Sequence, residues 1–254
     1  MQTLRRLAVA ALTTCALCAW PAAACAADLK VLCSNGFRAV MEELVPAFQR
    51  TTDHTLTVTY GLAAELARRI EGGEAFDLAI LTPAAIDGLA GKGLIARGSI
   101  VTLARSPIAL AIRRGAAKPD LRTLAAVRTT LLGASSIAYA REGASASFFL
   151  GLVERLELSA AMAGKIVPLA SGAAVGAAVS EGRIDLGVIP VSETLPIAGV
   201  EVGGTFPADL AAFITMTAGI SARAGEPSAS NALIQFLRTA DAVSVLQKRG
   251  MQAP

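Results

Sequence analysis

Short apolar runs alternate with amphipathic stretches along most of the chain, and small or polar residues separate them. In the first part, the runs with a strand-like pattern are residues 29–33, 55–60 and 76–81. The stretches with helical spacing that follow them are residues 38–50, 63–71 and 84–90. Strand, turn and helix repeated in this way predict parallel βαβ units. Because Pro46 lies inside the first helical stretch, a kink or a shortened helix is expected there.

The same rhythm continues to the end of the chain. Further strands are predicted at residues 100–105, 108–112, 136–139, 165–169, 185–190 and 213–221. Further helices are predicted at residues 121–132, 147–156, 172–181, 228–238 and 240–249. No internal repeat, low-complexity tract or long linker separates the two halves. The pattern therefore predicts two α/β lobes without a flexible tether.

The first 26 residues have the layout of a secretory signal peptide. A basic start, MQTLRR, precedes the apolar run LAVAALTTCALCAW, and Ala24 and Ala26 form an A-x-A cleavage signal. The run is too short to span a bilayer comfortably, which takes roughly 20 residues. A permanent anchor and a lipoprotein modified at Cys25 are the alternatives, although residues 22–24 lack the usual leading Leu. We expect cleavage after Ala26 and a mature protein in the periplasm.

The charge balance and the scarcity of Cys and His exclude some classes of function. The chain has 23 basic and 20 acidic residues, and loss of Arg5 and Arg6 with the leader makes them nearly equal. Without a basic cluster, no nucleic-acid partner is expected. Cys33 is the one cysteine outside the leader, so no intramolecular disulfide is possible, and burial of its thiol is expected. A lone Cys33 and a lone His54 in a polar turn predict no metal site and no cofactor.

Several turns combine small and hydroxyl residues at predicted strand ends. In parallel α/β sheets ligands bind at these ends, where helix N-termini attract anions. The turns are Ser34-Asn35-Gly36, Gly61-Leu62-Ala63, Gly143-Ala144-Ser145, Ser171-Gly172 and Ser192-Glu193. Each of them taken alone is also typical of an ordinary helix cap. Together they predict an anion site.

Charged residues near these turns suggest further roles. Arg38 and Arg141 are placed to hold a carboxylate, and most such arginines are simply solvated. Glu142 and Glu193 are the nearest acids, and they are the general-base candidates if the protein is an enzyme. No Ser-His-Asp set, P-loop or GxGxxG motif occurs. The residues themselves therefore favour a binding protein over an enzyme.

Four segments resemble the type II periplasmic solute-binding proteins, specifically the molybdate-binding branch. They are LKVLCSNGFRAVMEELVPAFQRTT, LAAELARRIEGGEAFDLAILTPAAIDGLAGKGLI, SEGRIDLGVIPVSE and ALIQFLRTADAVSVLQKRGM. The resemblance implies two α/β lobes of parallel sheet, joined by two crossing strands, that close on a ligand like a hinged trap. The crossings would lie near residues 106–112 and 213–220. Lobe 1 would comprise residues 27–107 and 218–254, and lobe 2 residues 108–217.

The same resemblance implies a set of ligand-binding positions. The first-loop Ser of the family falls on Ser34, the third-loop position near Ser145 and the fourth near Gly172. The second-loop Ser falls on Ala63 or Ala64 and the family's Tyr on Pro190, so two donors are missing. With the turns, the expected ligand-binding residues are Ser34, Asn35, Gly36, Ala63, Gly143, Ala144, Ser145, Gly172, Pro190 and Ser192.

A side branch of this family, which includes bacterial aconitate isomerases, is equally similar. The shared features are the first Ser-Gly loop, the SIAY strand and its turn, and Ser192-Glu193. We expect a monomeric substrate-binding protein of an ABC-type transporter that delivers a small anion to an inner-membrane permease. The anion would be a molybdate- or tungstate-like oxyanion or an organic acid. An isomerase of unsaturated tricarboxylates, moving a double bond in aconitate, and a ligand-sensing module of a membrane receptor are the alternatives.

Overall fold

The computed structural model describes residues 26–210 and 212–254. The predicted signal peptide lies outside these ranges, except for Ala26. Within them, no helix combines the length and the hydropathy needed to cross a bilayer.

Strands and helices alternate along the described chain. The strands are β1 (Asp28–Ser34), β2 (Thr55–Gly61), β3 (Leu78–Leu81), β4 (Val101–Arg113), β5 (Ile137–Ala140), β6 (Ile166–Leu169), β7 (Leu186–Pro190), β8 (Val200–Thr205) and β9 (Phe213–Ile220). The helices are α1 (Arg38–Thr52), α2 (Ala63–Glu71), α3 (Pro83–Gly91), α4 (Leu124–Gly133), α5 (Ala146–Arg155), α6 (Gly172–Ser180), α7 (Val191–Thr194), α8 (Pro227–Phe236) and α9 (Ala240–Lys248). Short 3-10 turns lie at Asn35–Phe37, Arg97–Ser99 and Ala208–Leu210.

Each half of the molecule is built on three parallel strands. In the first half β1 lies between β2 and β3, and in the second half β5 lies between β6 and β7. The predicted βαβ units are therefore confirmed. Antiparallel strands complete both halves, because β9 pairs with β3 and β4, and β4 pairs with β7 and β8. The strand order is β2-β1-β3-β9-β4-β7-β5-β6, with β8 beside β4.

Strand β4 connects the two halves, and here the sequence interpretation was wrong. Residues 100–105 and 108–112 were expected to form two strands, whereas one continuous strand runs through Pro107. Up to Pro107 the strand pairs with β9, and from Ile108 it pairs with β7. The missing N–H of Pro107 costs little because it falls where pairing passes from one partner to the next. The lobe limits, 27–107 with 218–254 and 108–217, stay a prediction.

The helix predicted around Pro46 is present at full length, and two elements of the second half were missed. Helix α1 continues past Pro46 to Thr52, because its apolar face, which includes Val40, Leu44 and Phe48, is buried in the core. Tertiary burial here outweighs a missing hydrogen bond, an interruption that alone costs about 3 kcal/mol. Helix α7 and strand β8 were not predicted. The first is a single turn, and the second contains Gly203 and Gly204, which are weak strand formers.

The side chains of Cys33 and His54 are both buried. Cys33 is buried, as predicted, and burial raises the pKa of its thiol far above the usual range. His54, expected in a polar turn, is 8% exposed and packs on the ring of Phe48. The backbone N–H of Ala27 donates to its Nδ1 at 3.1 Å. His54 therefore fastens the start of β1.

Candidate functional site

Four of the five predicted turns, all but Ser171-Gly172, contribute to one small cavity between the two halves. Ser34 ends β1 and Asn35 follows it, and Leu62 and Ala63 follow β2, so the first half supplies one wall. The second half supplies the opposite wall, with the residues Ala140, Gly143, Ala144, Ser145, Ile189, Pro190 and Glu193. Ile214 and Met216 of the connecting strand β9 also line the cavity. Its volume is about 20 Å³, which is room for a single water molecule.

Most of the expected ligand-binding residues line this cavity. They are Ser34, Asn35, Ala63, Gly143, Ala144, Ser145 and Pro190. The other three, Gly36, Gly172 and Ser192, lie beside it, packed against lining residues. Sequence reasoning missed the apolar lining, Leu62, Ala140, Ile189, Ile214 and Met216. Ala140 directly follows the predicted strand 136–139, and Ile189 is the penultimate residue of the predicted strand 185–190, so a signal was available for these two. Nothing local marked Met216.

Two glycines allow close packing of the residues around the cavity. A β-carbon on Gly143 would lie 2.6 Å from that of Ala140, so the turn before α5 requires glycine. A β-carbon on Gly36 would lie 2.6 Å from Cε of Met216. Real β-carbons do not come this close, and a larger residue at either position would have to displace its neighbour. Both glycines therefore shape the cavity through packing.

The three serines of the site differ in what their hydroxyls do. Ser145 Oγ donates to the carbonyl of Val188 at 3.2 Å, and Ser192 Oγ donates to the carbonyl of Gly36 at 3.0 Å. The second bond joins the two halves. By contrast, the hydroxyl of Ser34 makes no hydrogen bond to any other described residue, although Ser34 is only 7% exposed. Ser34 is therefore the serine whose hydroxyl is available to a ligand.

Glu193 places a carboxyl group at the cavity. It lies in α7, directly after β7, and none of the described residues donates a hydrogen bond to its carboxyl oxygens. A β-carbon on Gly172 would overlap Oε2 of Glu193, and one on Gly36 would lie 3.6 Å from Oε1. Burial raises the pKa of Glu193 to about 7, because removal from water disfavours the charged carboxylate. This carboxyl group can both accept and donate a proton near neutral pH.

The second base candidate, Glu142, lies at the outer edge of the cleft. Its Oε2 accepts from Arg68 Nη2 at 2.8 Å, and both side chains are at least half exposed. Because Arg68 is on α2 and Glu142 follows β5, this ion pair bridges the two halves. Arg141 lines the same opening, and Arg38 lines a separate opening beside Glu193. The structure thus separates the two acids that the sequence treated alike.

The chemistry of the cavity suits a small anion. The N-terminal ends of α2 and α5 reach it through Ala63 and Ser145, and helix N-termini carry partial positive charge and free N–H groups. Ala63 and Pro190 offer no side-chain donor. Within the described ranges, no group of three or more His, Cys, Asp or Glu side chains is arranged to hold a metal ion.

Comparison with known proteins identifies the family. The family model described as bacterial extracellular solute-binding protein matches residues 29–252. The chain belongs to this family. The predicted membership of the solute-binding proteins is confirmed. The solved structures share the predicted α/β fold.

Members and structural neighbours of the family differ in what their names say they do. Aconitate isomerase of Pseudomonas sp is 29% identical over 230 residues, covering 88% of this chain and 87% of that protein. The periplasmic molybdate-binding protein of Azotobacter vinelandii has a TM-score of 0.73 and 20% identity, covering 89% of this chain and 99% of that one. The sulfate-binding protein SubI of Mycobacterium tuberculosis H37Rv has a TM-score of 0.73 and 16% identity, and the match covers 89% of this chain and 87% of that one. At these identities the two structures establish the fold alone.

Proposed function

We propose that this solute-binding protein holds a small organic acid between its two halves. The observation that carries the proposal is the cavity shared by Ser34, the start of α5 and Glu193. A ligand carboxylate would accept from Ser34 Oγ and from N–H groups at the helix starts. Since the cavity has room for one water, the halves would separate to admit the ligand and close on it.

The side chains favour an organic acid over a molybdate- or tungstate-like oxyanion. By the family resemblance, the positions that hold hydroxyl donors in the molybdate-binding branch fall on Ala63 or Ala64 and on Pro190 here. Each missing charge-assisted hydrogen bond weakens binding by about 1.5–3 kcal/mol.

The physiological role follows from the family. We propose that the mature protein acts in the periplasm, after removal of residues 1–26, and as a monomer. It would deliver its ligand to the inner-membrane permease of an ABC-type transporter. Small-anion binding and a permease partner are general properties of such binding proteins.

A thermal-melt panel tests the ligand class. The chain has a single Trp, Trp20 in the predicted leader, so an extrinsic dye is the suitable reporter. The ligands are molybdate, tungstate, sulfate, citrate, cis-aconitate and trans-aconitate. A ligand at 100 times its Kd adds roughly 2.7 kcal/mol, which raises Tm by about 5–10 °C in a chain of this size. A shift with organic acids alone supports the proposal, and a shift with molybdate or tungstate alone contradicts it.

A second candidate function rests on Glu193 and on the isomerase relative. With a pKa of about 7, Glu193 could take a proton from the CH₂ group of trans-aconitate. The double bond would shift, and the same carboxyl would return the proton to the other end of the allylic system, giving cis-aconitate. This exchange balances without a cofactor, and a base with a pKa near the working pH is the most effective one.

Turnover by the purified protein separates the two functions. Conversion of trans- to cis-aconitate, abolished in Glu193→Gln while ligand binding persists, would identify an enzyme. Tight binding of aconitate without conversion would support the transport role and contradict the isomerase function.

A further inference from the structure

A second cavity adjoins the central one on the side of Glu193. Asn35 and Glu193 line both cavities, so the two are parts of one cleft. The adjoining cavity has a volume of about 290 Å³, many times that of the central one. Its walls come from both halves, with Arg38 and Glu42 on one side and Ser171, Ser192 and Ile197 on the other. A ligand longer than one carboxylate would extend into this space.

Arg38 brings an available guanidinium group into this cavity. Its Cζ lies 4.5 Å from the centre of the Tyr60 ring, a cation–π contact that holds the side chain in place. Its one hydrogen bond to the described residues is a long one, from Nη2 to Asn35 Oδ1 at 3.5 Å. No carboxylate oxygen of the described chain lies within 4.0 Å of it, whereas Arg68 at the other opening is paired with Glu142. Arginine has five N–H donors in a planar fork that matches a carboxylate.

We propose that Arg38 binds a second carboxylate of the ligand, so that the cleft selects di- and tricarboxylates over monocarboxylates. This inference rests on the proposed function, since the first carboxylate lies in the central cavity. The carbon chain between the two carboxylates passes Glu193, and Pro196 and Ile197 provide apolar surface beside it. Arg38 is thus the residue that determines the ligand's charge class.

Glu42 lies close to Arg38 and carries the opposite charge, so neutralising Glu42 should have the opposite effect on ligand binding to neutralising Arg38. It lies one helical turn after Arg38 on α1 and lines the same cavity, with an exposed side chain. A carboxylate here competes with an incoming ligand carboxylate for the guanidinium. Removal of its charge strengthens dicarboxylate binding if Arg38 is the partner.

Titration calorimetry with a matched pair of acids tests the proposal. Crotonate and glutaconate share an unsaturated chain, and glutaconate adds a second carboxylate. The wild type should bind glutaconate at least tenfold more tightly than crotonate. Arg38→Gln should remove this preference while crotonate affinity stays within twofold, Arg38→Lys should retain part of it, and Glu42→Gln should increase it.

Arg105→Gln is the control, since Arg105 is also stacked on an aromatic ring, Phe213, at 4.8 Å but lies outside the cleft. It should keep the wild-type preference. If Arg38→Gln weakens both acids equally, or neither, the role of Arg38 is wrong although the organic-acid site stands. Equal wild-type affinity for the two acids would overturn the inference in the same way. If the wild type binds neither these acids nor the aconitates, the proposed function fails and takes the inference with it.

Discussion

A β-carbon on Gly172 would occupy the same space as the carboxyl of Glu193. Gly172 is the first residue of α6 and Glu193 lies in the single turn of α7, and the two helices follow different strands of the second half. Glycine at position 172 therefore lets the carboxyl lie against the start of α6, at the edge of the cavity. The position of the Glu193 carboxyl therefore depends on the absence of a side chain at Gly172.

Gly172→Ala should displace Glu193 and weaken ligand binding at least tenfold. Overpacking of this kind costs about 1–3 kcal/mol of folding free energy, so Tm should fall by several degrees. Calorimetry and dye melts measure the two effects. The control is Gly88→Ala on α3, where an added β-carbon meets nothing within 4 Å. That variant should gain up to about 1 kcal/mol from helix propensity and bind normally. Normal binding in Gly172→Ala would show that the Glu193 carboxyl need not lie there.

Glu193→Gln should change how stability depends on pH. Because burial raises the pKa of Glu193 from 4.5 to about 7, the folded state holds this proton more tightly than the unfolded state. The neutral Glu193 carboxyl therefore makes its full contribution to the free energy of unfolding below pH 4.5, and this contribution is lost as pH rises through 7. The shift corresponds to roughly 3 kcal/mol at most.

The measurement is Tm between pH 4.5 and 8. Wild type should lose stability across this window relative to Glu193→Gln, and the variant should be the more stable protein at pH 8. Glu154→Gln, on the exposed face of α5, should follow the wild-type profile. Parallel profiles for wild type and Glu193→Gln would contradict a raised pKa.

Ser34→Ala and Ser145→Ala should separate binding from stability. The Ser34 hydroxyl has no partner among the described residues, so its removal should weaken ligand binding with little change in Tm. A hydrogen bond to a charged group contributes about 1.5–3 kcal/mol, or roughly a 10–100-fold change in Kd. Ser145→Ala removes a bond to the Val188 carbonyl and should cost about 1 kcal/mol of stability. Unchanged affinity in Ser34→Ala would remove Ser34 from the site.

Glu142→Gln should speed ligand release without abolishing binding. The Arg68–Glu142 pair joins the two halves at the edge of the cleft, so its loss favours separation of the halves. Since both side chains are exposed, high salt should reduce the difference between variant and wild type. Stopped-flow dissociation at low and high salt measures this.

Asp120→Asn is the matched control for Glu142→Gln. It breaks a similar exposed pair with Arg122, but within one loop, and should leave release unchanged. If the protein proves to be an isomerase, loss of turnover in Glu142→Gln would make Glu142, not Glu193, the base.

The hydrophobic pattern of the sequence predicted most of the helices and strands. The prediction failed where tertiary structure outweighs the local effect of a proline. The limits of α2, Ala63–Glu71, agree with the prediction because an amphipathic face and two flanking glycines define them locally. A shortened α1 was an expected consequence of Pro46, and two strands were predicted on either side of Pro107, whereas α1 runs to Thr52 and β4 is continuous. In each case burial, or a change of strand partner, compensates for the missing N–H.

The sequence by itself determined the α/β rhythm, the family and the turns that could hold an anion, because hydrophobic period and small-residue turns are local properties. It treated Glu142 and Glu193 as equivalent bases, and Ser34, Ser145 and Ser192 as equivalent donors. Tertiary structure alone distinguished them. Whether a hydroxyl is already bonded, or a carboxyl is removed from water, depends on groups such as Gly172 and Val188 that packing brings from distant parts of the chain.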